Sequence, residues 1–467
     1  MIGCTVVTVR YAAHARVAAR SFLEHHPGTE FVVLVADDPE GAFGPGEPFD
    51  TVRPADIGID GAELHRRALM YKGQGLTCSM KAPLMARLLD RGHGEVVYLD
   101  ADTCVYGDLS LLGELAREHG LVITPHSTVP HEDIELDRLI VRTGAFNSGL
   151  LAVGEGARAF LRWWDVRTAR RCIPEPGTGV FNEQAWLDLV PGLFDHHVLR
   201  DPGVNVSGFA MHYRDVVWSD GGPALEDGPL RHFHFLCGFD PHRPELLTTV
   251  PQIAEHWPPL SERPGLARLA REYADRLLSE RYDHARRAPA PYDVLPDGVA
   301  PTPLMRELYR TAVIAAEAGG PPEPPNAFET GRSAPFMDWL NEPVADDAPG
   351  LSRYLSALWA VRRDLMAAFP DVPGRDTAAY LGWAASKHED EDEAIPAALL
   401  PPAPAGGAAR PSTIPERLRS LAGERDRLAG EFDILRRSRS WRITAPLRAG
   451  ARLARGTRRN GTGGPAA

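Results

Sequence analysis

Residues 96–103 read Val-Val-Tyr-Leu-Asp-Ala-Asp-Thr, an apolar run that ends in two acids one residue apart. The β-branched and aromatic residues of this run favour a short buried strand. In a parallel α/β sheet, ligands bind at the carboxyl ends of the strands, which is where Asp100 and Asp102 stand. Two carboxylates suit Mg²⁺ or Mn²⁺, which can in turn bridge a diphosphate. The segment therefore predicts a metal site; the competing interpretation is a pair of acids that cap the next helix.

The surrounding sequence indicates an α/β fold. Residues 3–9 and 31–36 are strand-like and apolar, and residues 14–25 between them carry apolar side chains at helical spacing. Strand, helix and strand in this order form a βαβ unit, which implies a mainly parallel sheet with helices on both faces. Further predicted elements are a helix and three strands at 79–89, 95–99, 121–124 and 149–153.

The second half of the chain differs in character. Polar helices rich in Arg and Glu are predicted at 264–282, 303–318 and 351–369. Residues 401–413 are rich in Pro, Gly and Ala, which is typical of a linker. Apolar residues at heptad spacing after the linker predict an amphipathic helix that pairs with a second copy of the chain or packs on its body. We therefore divide the chain into a catalytic domain, a helical accessory domain, a linker, and a helix with a basic tail, at 1–250, 251–400, 401–413 and 414–467.

Composition narrows the class of protein. The 467 residues carry a formal net charge of −12, which argues against a nucleic-acid partner. The five cysteines are scattered without a CxxC pair, so we expect neither a zinc cluster nor a disulfide framework, and a reducing cytosol fits best. The sequence lacks a leader-like start and any run of about 18 apolar residues, which predicts a cytoplasmic protein without a membrane span.

The end of the chain is basic. Nine arginines and no acidic residue follow residue 434. Arginines around Trp441 suit the surface of an anionic bilayer, so we predict peripheral contact with the inner face of the membrane. The competing interpretation is a solvated basic end.

Four short motifs occur in a fixed order. They are Tyr-Leu-Asp-Ala-Asp-Thr at 98–103, Phe-Asn-Ser-Gly at 146–149, Asn-Glu-Gln at 182–184 and Phe-His-Phe at 233–235. Together they resemble the GT-A glycosyltransferases, and most closely the retaining family 8 type. The resemblance covers residues 1–245 and implies a Rossmann-like GT-A domain that binds a nucleotide-sugar.

The resemblance implies a role for each matching residue. The metal ligands would be Asp100, Asp102 and His234. Asn147 would bind the donor sugar, and Glu183 and Gln184 would line the reacting carbon. The remaining donor contacts would come from the end of the first strand, the start of a helix and the late loop, namely Thr8, Arg10, Tyr11, Lys81, Gly238 and Arg243.

This chain departs from the family pattern at three places. Glu183 stands where the family has Asp, which lengthens its reach by one methylene. The Lys-Pro-Trp segment that clamps diphosphate is absent, and Arg243 is the residue we expect in its place. The histidine motif is spaced differently by one residue, so His232 remains a rival of His234 as metal ligand.

The resemblance implies transfer of a sugar, with retention, from a nucleotide-sugar such as a UDP-sugar. Residues 335–343, 363–371 and 438–448 resemble bacterial polysaccharide-cluster transferases, which implies a glycan or lipid-linked acceptor in surface polysaccharide synthesis. One alternative is a non-catalytic glycan-binding or scaffold protein. Another is a haloacid-dehalogenase-type phosphatase, whose motif continues with a threonine where this chain has Cys104 and Val105.

Overall fold

The computed structural model describes residues 1–37, 43–175, 180–212, 214–236, 238–250, 257, 259–344, 350–386 and 395–401. The chain divides into two compact units, Met1–Trp339 and Leu340–Ala467. The predicted linker lies almost wholly outside the described residues, and the predicted helix and basic tail at 414–467 lie entirely outside them. A search of the described helices finds none with the length and apolar character that a bilayer crossing requires.

The first unit contains fourteen short strands among its described residues. In chain order they are β1 (Ile2–Val7), β2 (Glu30–Val35), β3 (Asp50–Val52), β4 (Glu95–Leu99), β5 (Thr103–Val105), β6 (Leu121–Pro125), β7 (Phe146–Gly154), β8 (Pro174–Glu175), β9 (Val180–Phe181), β10 (His197–Val198), β11 (Val216–Ser219), β12 (Gly222–Leu225), β13 (Gly228–Pro229) and β14 (His232–His234).

The α-helices follow in the same order. They are α1 (Ala12–His25), α2 (Gly61–Met70), α3 (Gly73–Cys78), α4 (Lys81–Asp90), α5 (Ser110–His119), α6 (Ile134–Thr143), α7 (Arg158–Arg171), α8 (Val190–Leu193), α9 (Pro264–Ser279), α10 (Tyr282–Arg286), α11 (Pro303–Glu317), α12 (Ala327–Thr330), α13 (Ala334–Asn341), α14 (Arg353–Val361), α15 (Arg363–Ala368) and α16 (Thr377–Ala385).

The main sheet has seven strands in the order β10-β6-β7-β4-β1-β2-β3. Strand β7 runs antiparallel to its neighbours β4 and β6, and the other neighbouring pairs are parallel. Every residue of β1 and β4 is buried. Since successive side chains of a strand point to opposite faces, both faces of the sheet are covered. The predicted α/β class is confirmed.

Helix α9 packs against β11 and against the residue that follows β14. Its apolar face falls at helical spacing, with Leu266, Leu269, Ala270, Tyr273 and Leu277 all buried. The Tyr273 ring stacks on Phe235, just after β14, with centroids 3.7 Å apart and planes 3° apart. The predicted boundary between residues 250 and 251 thus lies inside the first unit.

Two helices predicted as continuous are interrupted in the structure, so both predictions are wrong in that respect. The helix predicted at 264–282 ends at Ser279, because Arg281 adopts a left-handed conformation (φ 66°) that a right-handed helix cannot contain. The helix predicted at 351–369 is two helices, α14 and α15. Arg362 between them is extended, with φ −103° and ψ 101°.

The described residues of the second unit form a small helical core. The Tyr380 hydroxyl of α16 donates to the Leu355 carbonyl of α14 at 2.7 Å. The Tyr380 ring also packs 5.7 Å from Phe369 and 5.8 Å from Trp383, measured between ring centroids. These contacts join α14 and α16 within this unit.

Candidate metal and donor site

Three predicted ligands converge at the carboxyl end of β4. One ligand atom from each of Asp100, Asp102 and His234 lies within 4.8 Å of the other two. His234 Nε2 is 3.1 Å from Asp102 Oδ1. Adjacent ligands of an octahedral ion bound at about 2.1 Å lie about 3 Å apart, so this donor set fits a small divalent cation. One imidazole and two carboxylates are also the ligand types that Mn²⁺ accepts.

Two strand pairings bring these residues together. The backbone N–H of Asp100 donates to the Gly149 carbonyl at 2.8 Å, which continues the antiparallel ladder between β4 and β7. Strand β5 pairs antiparallel with β14, so His234 stands opposite Thr103. The N–H of Phe235 then donates to the Asp102 carbonyl at 2.9 Å. Backbone hydrogen bonds therefore hold Asp100 against β7 and Asp102 against the residue that follows β14.

Gly149 is required by this close approach. A Cβ at this position would lie 2.5 Å from His234 Cε1, 2.7 Å from Asp100 Oδ2 and 3.0 Å from Asn147 Oδ1. Real side chains essentially never approach so closely, and the atoms in the way belong to the cluster itself. The glycine of the Phe-Asn-Ser-Gly motif thus makes room for the side chains of the candidate metal ligands.

The two histidines of β14 differ in their surroundings. Burial lowers the pKa of His232 to about 3, and neither of its ring nitrogens has a hydrogen-bond partner among the described residues. Burial also lowers the pKa of His234, but Asp102 and Asp100 outweigh it and hold that pKa above the ordinary value. The geometry therefore brings His234, and not His232, into the group with the two acids.

A buried lysine joins the first acid to a second carboxylate. Lys81 Nζ lies 2.9 Å from Asp100 Oδ1 and 2.7 Å from Glu183 Oε1, and its side chain is only 1% exposed. Burial raises the pKa of Glu183, yet Lys81 and Ser148 outweigh burial and hold it below the ordinary value. Burial likewise opposes the charge of Lys81, but Asp100 and Glu183 raise its pKa well above the ordinary value. The Lys81 ammonium thus bridges the carboxylates of Asp100 and Glu183.

The Phe-Asn-Ser-Gly motif connects this unit to the histidine. Asn147 Oδ1 accepts from the Gly149 N–H at 2.8 Å, which fixes the side-chain amide. Its Nδ2 lies 2.9 Å from His234 Nδ1 and donates to Asn205 Oδ1 at 2.6 Å. Asn147 thus lies directly beside the candidate ligand His234.

Glu183 and Gln184 both accept hydrogen bonds from Ser148. The Ser148 hydroxyl donates to Glu183 Oε1 at 2.6 Å, and the Ser148 N–H donates to Gln184 Oε1 at 3.3 Å. Gln184 Nε2 donates to the Thr143 carbonyl at 2.8 Å. A 3₁₀ helix, Gln184–Leu189, begins here, two residues after Asn182, which adopts a left-handed conformation (φ 50°).

Three of the predicted donor contacts, Thr8, Arg10 and Tyr11, follow β1. Arg10 is engaged elsewhere, since its Nε donates to the Ala288 carbonyl at 3.0 Å and its Nη1 pairs with Asp293 at 2.9 Å. The Tyr11 ring is partly exposed and lies 4.7 Å from the His14 ring. The Thr8 carbonyl accepts from the Tyr11 N–H at 2.8 Å.

Gly238 and Arg243 are not joined to the cluster by any hydrogen bond or ion pair in the part of the chain that is described. Gly238 adopts a φ of +90°, and its carbonyl accepts from the Thr249 N–H at 2.8 Å. The Arg243 side chain is 58% exposed, with Nε 3.9 Å from Glu245 Oε1.

Sequence reasoning missed two buried histidines beside the site. His126 directly follows β6, a strand-end position that could have drawn attention to it. Burial lowers its pKa to about 4 and His234 acts in the same direction, against the opposing effect of Gln184. Burial also lowers the pKa of His14 to about 4, against the opposing field of Asp102. Both imidazoles are therefore neutral at physiological pH.

No protein-family model matches the chain. A curated relative, the uncharacterized protein YfnF of Bacillus subtilis (strain 168), is 31% identical over 146 residues. The match spans 30% of this chain and 48% of that protein, so the chain covers about half of its relative.

Several solved structures of glycosyltransferases overlap with the chain in part. The galactosyltransferase LgtC is 19% identical, with 59% of this chain and 95% of that chain covered at a TM-score of 0.35. GlyE of Streptococcus pneumoniae TIGR4 is 15% identical, and the match covers 63% of this chain and 66% of that chain at a TM-score of 0.36. Mouse xyloside xylosyltransferase 1 is 14% identical, and the match covers 50% of this chain and 97% of that chain at a TM-score of 0.31. At such TM-scores the overlap is partial, so the function of this chain has to follow from its own residues.

Proposed function

We propose that this chain is a metal-dependent glycosyltransferase of the GT-A type that transfers a sugar from a nucleotide-sugar, with UDP-sugars as the first donors to test. The observation that carries the proposal is the convergence of Asp100, Asp102 and His234 at the carboxyl end of β4. The Lys81–Glu183 pair directly beside this cluster supports it, because buried charges at a strand end are typical of a functional site.

Each residue of the site then has a role. Asp100, Asp102 and His234 would hold Mn²⁺ or Mg²⁺, and Asn147 lies beside the His234 ring. A bound ion would supply Lewis-acid stabilisation of the charge on a departing nucleoside diphosphate. Lys81 fixes Asp100 and keeps Glu183 ionised beside it.

Released nucleotide tests the proposal directly. A library of nucleotide-sugars is incubated with the full-length protein and Mn²⁺, and the nucleoside diphosphate set free is quantified. At least one donor should be consumed, and EDTA should stop its consumption. A scaffold protein would consume none, and a phosphatase would release inorganic phosphate in place of a nucleoside diphosphate.

The surroundings of Glu183 support retention. A base for an inverting reaction must reach the acceptor hydroxyl. The Glu183 side chain is only 4% exposed, and Lys81 and Ser148 occupy its Oε1. A carboxylate held in this way is poorly placed to take a proton from an incoming acceptor or to attack the sugar. Same-face attack, assisted by the leaving phosphate, is the mechanism we propose.

The first product should keep the anomeric configuration of the donor. An ¹H NMR spectrum of the initial product, recorded before mutarotation, reads this configuration through its anomeric coupling. An inverted product would contradict the assignment and would make Glu183 a candidate general base.

Gly149→Ala should weaken metal binding more than it weakens the fold. The added methyl group would overlap His234 and Asp100, and such overpacking costs about 1–3 kcal/mol of stability. The measurements are denaturant unfolding and the rise in melting temperature on adding Mn²⁺ and UDP, which should be lost in the variant. Gly94→Ala is the matched control, because nothing lies within 4 Å of its added Cβ. An undiminished metal response in Gly149→Ala would contradict the ligand assignment.

The acceptor that we propose is a glycan or a lipid-linked intermediate of bacterial surface polysaccharide synthesis. The proposed membrane contact and self-association depend on residues 414–467, which lie outside the described residues.

A further inference from the structure

A pair of thiols lies on the far side of Glu183 from Lys81. Cys78 ends α3 and Cys172 follows α7, so they are far apart in the sequence. Their sulfur atoms and a Glu183 carboxylate oxygen all lie within 4.8 Å of one another, and all three residues are buried. Cys172 Sγ is 3.8 Å from Glu183 Oε2. Gly75 allows this approach, since a Cβ there would lie 2.9 Å from the Cys172 carbonyl oxygen.

The two oxygens of Glu183 therefore have different partners. Oε1 accepts from Ser148 and pairs with Lys81, as the proposed function requires. Oε2 faces the thiols, which play no part in that mechanism. Both cysteines are free thiols. A hydrogen bond with Cys172 and then burial raise the pKa of Cys78, and burial raises the pKa of Cys172, so both thiols are protonated at neutral pH.

The donor types select the kind of cation. Thiolates bind soft or borderline ions such as Zn²⁺, whereas Mg²⁺ and Mn²⁺ prefer oxygen. Sulfurs bound to tetrahedral zinc at about 2.3 Å are about 3.8 Å apart, which this group can reach with little movement. The cluster of Asp100, Asp102 and His234 offers two carboxylates and one imidazole, and no thiolate. The two groups lie on either side of the Lys81–Glu183 pair and differ in the ions that they would select.

We propose that Cys78, Cys172 and Glu183 form a second metal site, which binds a thiophilic divalent cation of the zinc class. Binding displaces one proton from each thiol and places the cation between two thiolates and the Glu183 carboxylate. Because thiol protons are released, affinity should rise with pH. A cation bound here competes with Lys81 for Glu183, so it should inhibit sugar transfer; this consequence alone rests on the proposed function.

Cadmium is the probe, because its thiolate complexes absorb in the ultraviolet. Metal-free, reduced, full-length protein is titrated with Cd²⁺, and a thiolate-to-cadmium charge-transfer band should grow to saturation at one equivalent. Cys78→Ser and Cys172→Ser should each lose most of the band. Glu183→Gln keeps both thiols but loses a direct ligand. Because partners outside the first coordination sphere already contribute about 10–100-fold to metal affinity, the affinity of this variant for Cd²⁺ should fall at least about tenfold.

Two control variants test whether the absorption band arises from Cys78 and Cys172. Cys104→Ala removes a buried thiol elsewhere and should leave the band unchanged. Asp102→Asn should leave it unchanged as well, which separates this site from the oxygen-rich cluster. No band in the wild type, or an undiminished band in Cys172→Ser, would overturn the proposal. In protein denatured without prior reduction, a count of only three free thiols among the five cysteines would show a disulfide instead, which also overturns it.

Inhibition is measured separately. Zn²⁺ should suppress donor turnover in the wild type and lose most of this effect in Cys172→Ser, with Mn²⁺ in excess throughout. Equal inhibition of both proteins would refute the inhibitory consequence. A protein that gives the cadmium band but consumes no donor would refute the proposed function and leave the metal site standing.

Discussion

Replacing Asp102 by asparagine is expected to reduce donor turnover about a thousandfold or more and to leave the fold intact. The carboxylate is one of only two anionic ligands in the proposed site. Lewis-acid stabilisation by a bound ion contributes several kcal/mol, and about 4 kcal/mol corresponds to about a thousandfold in rate. Asparagine keeps the shape of the side chain, and the backbone bond from Phe235 to the Asp102 carbonyl is unaffected. Initial rates of nucleotide release and denaturant unfolding are the two measurements.

Asp108→Asn is the matched control for this substitution. Asp108 lies six residues further on, its side chain is 71% exposed, and it caps the start of α5 through Ser110. Its loss should leave turnover near the wild-type rate. Wild-type turnover in Asp102→Asn, or full turnover of the wild type in EDTA, would remove the proposed metal site from the mechanism.

Lys81→Met is expected to lower the free energy of unfolding by about 3–5 kcal/mol, because removing one partner of a buried ion pair leaves the other charge uncompensated. Here the partners are Glu183, which is buried, and Asp100, which keeps a hydrogen bond from the Tyr98 hydroxyl at 2.9 Å. Such a loss is a large fraction of the stability of a typical protein. Denaturant unfolding at neutral pH measures it.

Two comparisons assign this loss to the ion pair. Lys72→Met removes an exposed lysine and should change stability little. Lys81→Met combined with Glu183→Gln should recover part of the loss, since the orphaned charge is gone. If the single and double variants are equally unstable, Glu183 does not depend on Lys81.

The loss of unfolding free energy in Lys81→Met should depend on pH, because it follows from the pKa of Glu183. In the wild type this pKa is depressed, so the stabilisation it provides is present above the unfolded value of about 4.3 and is lost as the pH falls. In the variant, burial without a cation raises the pKa and favours the protonated carboxyl. The deficit should therefore be greatest at neutral pH and shrink as the pH falls through about 4.

The central part of the fold could be predicted because its signals are local. Residues 96–103 carry both the apolar run and the acids that follow it, and the structure places a strand and a strand end there. The βαβ unit of β1, α1 and β2 likewise follows from periodicity within one window. The direction of β7 could not be derived in this way, because antiparallel pairing with β4 depends on the path of the intervening chain.

The parts of the site that depend on distant residues were less accessible. Nothing in the spacing of Cys78 and Cys172 indicates that their thiols meet, since the contact comes from the packing of α3 against the end of α7. The buried bridge from Lys81 to Glu183 is likewise a product of tertiary packing. The extended conformation of Arg362 interrupts a helical pattern that continues in the sequence.

Crystals of the full-length protein grown with Mn²⁺ and UDP would test the central claim most directly through the anomalous signal of manganese. The account predicts one strong peak at about 2.1 Å from a carboxylate oxygen of Asp100, a carboxylate oxygen of Asp102 and Nε2 of His234, with diphosphate oxygens completing the coordination. A manganese peak held by other residues, or UDP bound with no ion at these three, would contradict it.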